Sequence, residues 1–329
     1  MIIPAQALRS RCQNVDMKVL ACLVITLYIS GSCAATLPKK IQFGTYVLYD
    51  TTLRNRSTTG IGVYIKLLIN SINARLPFNV TETQIKLVLI GMKEVKDSAI
   101  VRILGPYRPV YLSDTTESLL SYVKNDTDSD VKEADIVLYI SGLHVDAIPW
   151  MGEYYRGWSR GGAICTPDKG VALPLYNPDF DRMESVMFGI LRLLGSHETG
   201  GVAANLKTKS RECLRKKPHG VYSNVTKLPG EGLEGTVYCK EFADNRDDFS
   251  LCETLNDGCK LSCCWNNNKR EYRRTSAPDG FACGSGSEQV CFMGKCVQRS
   301  VLTKKGKSSK PTTRKPKTGK PKTRKPKKP

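Results

Sequence analysis

Residues 260–298, opening KLSCCW and closing VCFMGKCVQ, carry five cysteines and too few aliphatic side chains to build a core of their own. A stretch this short and polar folds only if covalent cross-links take over from burial. Five further cysteines, Cys165, Cys213, Cys239, Cys252 and Cys259, precede it; with Cys263, Cys264, Cys283, Cys291 and Cys296 they make an even set of ten. If all ten pair, an odd count on each side of residue 260 forces at least one bridge across it, so the two parts are expected to be stapled covalently. A zinc site made of Cys263, Cys264, Cys291 and Cys296 is the rival reading. Adjacent Cys-Cys lacks the usual ligand spacing, and an oxidising compartment opposes it.

That compartment is read from the N-terminus. Lys18 precedes the apolar run VLACLVITLYISG, and the small residues Ser32, Cys33, Ala34 and Ala35 follow, the outline of a secretory signal over residues 1–35 with Met17 as an alternative start. Its removal takes Cys12, Cys22 and Cys33 with it. The run is short for a membrane span, and no second apolar stretch of spanning length occurs. Asn-x-Ser/Thr sequons at Asn55, Asn79, Asn125 and Asn224 agree with a secreted, extracellular chain.

Residues 37–180 alternate strand and helix patterns. IQFGTYVLYD, QIKLVLIGM and ADIVLYISGL read as strands; Ile61, Ile65, Leu68, Ile72 and Leu76 make a helical stripe that is expected to stop at Pro77, and TESLLSYV is a second helix. Such alternation predicts an α/β layer on a mixed or parallel sheet. The loop YYRGWSRGG brings Arg156, Trp158 and Arg160 together, and Arg192 could join them as an anion site. A second basic loop is expected at NNNKREYRR, residues 266–274; Pro278–Gly280 and Met293–Lys295 are turn signals.

In DRMESVMFGILRLLGSHETGG, residues 181–201, Met183, Val186, Met187, Ile190, Leu191 and Leu194 recur at the spacing of an amphipathic helix. Asp181 with Glu184 makes a capping box, and Gly195 is placed to end the helix in a left-handed conformation, giving bounds of roughly 182 to 194.

LLGSHETGG resembles the LLGSxHDG end of the extended zinc signature HExxHxxGxxH of the reprolysin-type metalloproteases, a metzincin family, particularly those of tick saliva. DIVLYISGL is similar to a strand of that family, and GGAICTPDKGVAL to its edge segment with one cysteine, here Cys165. NRDDFSLC looks like its FSxC signature, Cys259 matches its closing cysteine, and APDGxxCG…VCxxGxC resembles the Cys-rich module that follows the catalytic domain. The resemblance implies a metzincin-like domain over 36–259, a mixed sheet plus helices, then a small disulfide-rich module over 260–298 and a tail over 299–329.

It also implies where the chemistry would stand. Registered on Gly195, Phe188 takes the place of the first zinc-binding His, Gly189 that of the general-base Glu, and Arg192 that of the second His, with Ile190 and Leu191 between. His197 falls one position before the third His, whose place Glu198 takes; Val221 and Tyr222 replace the methionine turn. Phe offers no lone pair, and Arg192 puts a permanent cation where a divalent one belongs. The other histidines, His144 and His219, have no ligand spacing. The expectation is therefore no catalytic residue, no cofactor and no zinc, on a helix whose outward face is exposed and inert. Only a few residues separate the expected signal from the first strand, where the family carries an inhibitory segment; a chain with no activity to restrain needs none.

The tail carries 13 Lys and Arg and no acid after residue 300: Lys304, Lys305, Lys307, Lys310, Arg314, Lys315, Lys317, Lys320, Lys322, Arg324, Lys325, Lys327 and Lys328. From Lys310 it repeats Lys-Pro every five residues. Proline and like-charge repulsion predict an extended, disordered arm, and the charge predicts attraction to anionic phospholipid or heparan-type glycosaminoglycan. The whole reads as a secreted pseudoprotease that binds a host extracellular protein through its Cys-rich module and interferes with haemostasis or cell adhesion. The alternatives are a divergent active zinc metalloendopeptidase and a structural, cement-like component.

Overall fold

The computed structural model describes residues 36–56, 60–80, 82–96, 100–101, 112–143, 157–174, 180, 183–219, 227–242, 248–255, 258–265, 268–284 and 288–304. The signal segment, Arg156, His144, Asp181, Asn224, Val221, Tyr222 and the tail from Lys305 onward lie outside them, as do the readings that rest on them. Among the described residues no helix is long and apolar enough to cross a membrane.

A five-stranded sheet of order β2-β1-β3-β5-β4 organises residues 38–219. Its strands are Lys40–Asp50 (β1), Gln84–Val95 (β2), Ile136–Ser141 (β3), Trp158–Ser159 (β4) and Gly170–Pro174 (β5). β1, β2, β3 and β5 run parallel, and β4 is antiparallel on the outer side of β5. The reason lies in β3: IVLYIS is buried at every position, as a strand covered on both faces requires. Leu119 and Val123 of helix Leu112–Asn125 (α3) and Val131 of Ser129–Glu133 (α4) cover one face, meeting Tyr46, Leu48, Val88, Val137 and Tyr139.

Ile61–Asn79 (α2) packs along β2, beyond the short helix Thr51–Arg56 (α1). The helix runs two residues past Pro77 instead of stopping there. Proline costs its last turn a single N–H, and Val80 N donating to Leu76 O still closes it. Asn73 of α2 then acts as a substitute strand: Leu87 N donates to its Oδ1 at 2.7 Å and its Nδ2 donates to Leu87 O at 2.9 Å, occupying the sheet's open edge.

A bulge at Ile90 shifts the β1–β2 register, and the Tyr46 ring lies over Gly91, where any Cβ would stand 2.4 Å from it. Burial, and Asp128 accepting its hydroxyl at 3.0 Å, push the Tyr46 phenol well above its ordinary range. Because the folded pKa exceeds the unfolded one, this stability is complete below about pH 10 and is lost as pH rises beyond it. Tyr46→Phe is expected to flatten the fall of unfolding free energy between about pH 10 and 12. Denaturant titrations across that window check it.

The remaining elements are Met183–Leu193 (α5), Gly201–Lys207 (α6), Arg211–Arg215 (α7), Gly235–Phe242 (α8), Phe249–Leu255 (β6), Lys260–Trp265 (β7), Asn268–Ser276 (β8), Gln289–Phe292 (β9), Lys295–Gln298 (β10) and Arg299–Lys304 (α9). β6, β7 and β8 form an antiparallel sheet, and β9–β10 a hairpin. The expected boundary at residue 260 cuts through this sheet, because β6 pairs with β7 on its far side. The basic loop expected over 266–274 is instead largely strand β8, drawn into the ladder by β7. The segment assigned to the tail begins with a helical turn, α9.

All ten cysteines are bonded: Cys165–Cys213, Cys239–Cys263, Cys252–Cys264, Cys259–Cys291 and Cys283–Cys296. Three bridges cross residue 260, as parity demanded of at least one. None joins the part before residue 219 to the part after 227, so the covalent staple does not hold these two together. Their joint rests on α2. Arg75 Nε and Nη2 donate to both carboxylate oxygens of Asp279, at 2.6 and 2.8 Å, and Ser71 Oγ donates to the same carboxylate at 2.9 Å. Phe78 packs on Phe292 with ring centroids 5.0 Å apart, and Asn70 Nδ2 donates to Lys227 O.

Met293 and Gly294 turn the β9–β10 hairpin with φ of 51° and 71°, the left-handed pair of a two-residue turn. Met293 is 41% exposed, so truncation costs it little packing. Met293→Gly is expected to stabilise the protein by about 0.5–1 kcal/mol, since a side chain in that region is strained. A higher urea midpoint at unchanged slope would show it.

Candidate functional site

Helix α5 forms where the apolar stripe predicts it, with Met183, Val186, Met187, Ile190 and Leu193 buried against β4, β5 and α2. It ends as the glycine predicts: Gly195 has φ 98°, Ser196 N donates to Leu191 O at 2.9 Å, and Asn205 Nδ2 donates to Leu194 O at 2.9 Å. The orphan carbonyls of the last turn are thus satisfied.

The face expected to be exposed and inert is largely covered. Residues 157–164 lie along α5 and make five hydrogen bonds with it: Gly157 N to Ser185 O, Ser159 Oγ to Gly189 O, Arg192 Nε to Ser159 O, Gly162 N to Arg192 O and Ile164 N to Leu193 O. Gly157 and Ser159 point to one face of the sheet and Trp158 to the other, and α5 packs on the first of these, where Gly157 approaches Leu173 and Gly189 approaches Val171.

Gly189 permits this approach. It is buried, and a Cβ there would stand 2.9 Å from Val171 Cγ1 and 3.0 Å from the carbonyl carbon of Gly157. A Cβ on Gly157 would meet Leu173 at 2.6 Å and Ser185 O at 2.9 Å. Two glycines back to back set the helix–strand distance, and neither leaves room for a carboxylate.

Phe188 and Arg192 flank this contact and are half-buried. The Phe188 ring meets His197 edge-on with centroids 5.1 Å apart, so these two expected positions do come together. Arg192 is held differently, its guanidinium 4.4 Å from the Trp158 ring centre and its Nε on Ser159 O at 2.8 Å. Glu198 is exposed and folds back over Gly161 and Gly162. Arg160 does not join an anion site with Arg192. It pairs with Glu117 at 2.7 Å and with Asp168, and these two carboxylates raise its pKa further.

The donor set here does not fit zinc. Of the positions the signature assigns to the metal, Phe188 is an aromatic ring and Arg192 a fixed guanidinium, which leaves His197 and Glu198, where a site needs at least three lone-pair donors. Among the described residues one group of three metal-donor side chains clusters, Cys259, Cys283 and Cys296, and all three are in disulfides. The cysteines weighed as a rival zinc site are spent likewise, Cys263 on Cys239, Cys264 on Cys252, Cys291 on Cys259 and Cys296 on Cys283. Asn55, Asn79 and Asn125 are exposed, although Asn79 Nδ2 donates to Arg75 O at 2.9 Å.

Sequence reasoning missed Gly157 and Ser159, which complete the helix–strand seam. The signal was there in the two glycines 32 positions apart, each without an evident turn to serve. It also took Asp279 for a turn residue alone.

No family model matches the chain, and no curated protein does. Among solved structures it is similar to one described as the structure of a chaperone-substrate complex, at 13% identity and a TM-score of 0.33, over 48% of this chain and 24% of that one. A second weak neighbour is metalloproteinase-II from Bacteroides fragilis, at 14% identity and a TM-score of 0.31, over 52% of this chain and 50% of that one. The chain thus spans half or less of the structures it resembles. What is established is a mixed α/β sheet protein with a disulfide-rich C-terminal region and a weak metalloproteinase neighbour.

Proposed function

We propose that this chain is a metzincin-like pseudoprotease of the reprolysin type, secreted, that acts by binding and not by cleavage. The observation that carries the reading is the seam at Gly189. The position assigned to the general base is a glycine pressed on the backbone of Gly157, and the positions assigned to two zinc ligands are Phe188 and Arg192. A metal-assisted hydrolase needs a ligand set, an open coordination position and a base beside it. All three roles are vacated together, while the helix, its glycine end and the Cys165–Cys213 bridge beside it are kept.

Binding then falls to the surfaces. The disulfide-rich region contacts a host extracellular protein, and the 13 basic residues after residue 300 hold the chain on anionic phospholipid or heparan-type glycosaminoglycan, where it interferes with haemostasis or adhesion. Glycans at the exposed sequons suit the same compartment.

The test is metal analysis of the purified secreted protein after dialysis against a weak chelator, together with a peptide-cleavage assay. The expected result is zinc near zero and no cleavage. About one zinc per chain with cleavage would sink the proposal and make the chain a divergent metalloendopeptidase.

A further inference from the structure

Some of the cations placed by the fold are paired with an acid. Arg54, Arg75, Lys93, Lys124, Arg160 and Arg299 each have a carboxylate within ion-pair distance. The α6–α7 segment gathers cations that are not. Over residues 207–219 it carries Lys207, Lys209, Arg211, Arg215, Lys216 and Lys217 against one acid, Glu212. Among the described residues none of the six forms an ion pair.

Two of the six spend their ammonium on backbone: Lys209 Nζ donates to Gly162 O at 2.6 Å and Lys216 Nζ to Glu133 O at 2.8 Å. Neighbouring Lys169 does the same on Lys132 O and Ala134 O, its pKa depressed by burial, with repulsion from Lys216 added and the pull of Asp135 opposing. A carbonyl accepts a hydrogen bond without cancelling a charge, and the carboxylate that acts on Lys169 and Lys216 is the buried Asp135. Lys207, Arg211, Arg215 and Lys217 are exposed and make no such bond among the described residues.

The platform beneath them is rigid. Leu206 and Leu214 are buried, Cys213 is bonded to Cys165, and Ser210 Oγ accepts from Cys213 N at 3.2 Å to cap α7. Arg211 and Arg215 stand four apart on α7 and share a face. Lys207, Arg211, Arg215 and Lys217, with Glu212 as the one acid among them, make a run of like charge along the segment, and a polyanion relieves the repulsion within it.

We propose that the α6–α7 face is an anion-binding site on the folded chain, separate from the basic tail, and that it takes a linear sulfated polysaccharide through Lys207, Arg211, Arg215 and Lys217. The choice among polyanions rests on what the face lacks. Residues 201–219 contain no Phe, Tyr or Trp on which bases would stack, as single-stranded nucleic acid binding uses. Among the described residues the exposed large apolar side chains, Val63, Val237, Tyr272, Met293 and Val301, lie outside residues 201–219, so this segment offers none to sink into a bilayer. Five disulfides also belong to the compartment where sulfated polysaccharides occur. The site does not depend on the α5 reading and stands or falls by itself.

The experiment uses the full chain in four forms: unaltered, with Lys207→Gln, Arg211→Gln, Arg215→Gln and Lys217→Gln together, with the 13 tail cations changed to Gln, and with both sets. Each is titrated with a heparin-derived octasaccharide over a series of NaCl concentrations, after thermal melting has shown the four to unfold alike. The tail-neutralised chain should still bind, and the four added substitutions should abolish that binding. In the unaltered chain they should lower the slope of log K against log salt by roughly 2–4. Equal binding by the tail-neutralised chain with and without the four substitutions overturns the site. Preference of that chain for duplex DNA or phosphatidylserine vesicles over the octasaccharide overturns the ligand. Loss of binding from the four substitutions, with none from neutralising the tail, upholds this site and removes the tail from the proposed function.

Discussion

Replacing Arg75 by alanine should cost the protein about 3–5 kcal/mol, the effect of stranding one member of a buried ion pair. Arg75 is 6% exposed and Asp279 2%, and without the guanidinium the Asp279 carboxylate keeps only Ser71 Oγ and Met293 N, the latter at 3.0 Å, as donors. Asp279→Ala should cost a similar amount, and the double variant clearly less than the sum, because neither charge is then left alone in the interior. Guanidinium unfolding without reductant measures all three. A loss below about 1 kcal/mol in either single variant would mean that water reaches the pair and that the joint is held by something else. The consequence reaches beyond stability, since no disulfide spans this joint and α2 alone brings Ser71, Arg75 and Phe78 to it.

Restoring the zinc signature should fail. Phe188→His, Gly189→Glu and Arg192→His together supply the residues that metal chemistry asks for, yet the Glu would enter a space where even a methyl group stands 2.9 Å from Val171. Gly189→Ala alone is expected to cost about 1–3 kcal/mol as overpacking. The triple variant should lose about 3 kcal/mol or more, because it also buries a carboxylate and removes the Arg192 hydrogen bond to Ser159. Melting temperature, yield of folded protein and zinc content report the result. A triple variant with unchanged melting and one bound zinc would mean that residues 157–164 lift off α5 readily, and the proposed function would lose its support.

How much of this was legible beforehand depends on the reach of each interaction. β1, β3 and the α5 stripe follow from periodicity within a dozen residues, and Gly195 from the rule that a left-handed helix end favours glycine. The ten-cysteine parity argument gave a bridge across residue 260 with no geometry at all. Asp279 was read as a turn residue because Pro-Asp-Gly is a local signal, while its carboxylate answers to an arginine 204 positions away. Gly189 looked like an outward position because the helical stripe is computed for one helix alone; the strand segment that covers it enters from residue 157. NNNKREYRR reads as a loop by composition, and only pairing with β7 makes most of it a strand. Pro77 was over-weighted, since in a final turn proline removes one bond and no more.

The bridge pattern carries a consequence for how this chain wears out. Cys239–Cys263, Cys252–Cys264, Cys259–Cys291 and Cys283–Cys296 overlap one another in sequence like links of mail. Every peptide bond from residue 239 to residue 296 therefore lies inside at least one closed loop, and Cys165–Cys213 encloses the stretch around α5 in the same way. A protease nicking any of these bonds once releases nothing until a reductant arrives. Between residues 165 and 296 a single cut parts the chain covalently only within 213–239, where no loop closes. A worn molecule would there shed its disulfide-bonded end as one piece once the non-covalent hold of Ser71, Arg75 and Phe78 on Asp279 and Phe292 gave way.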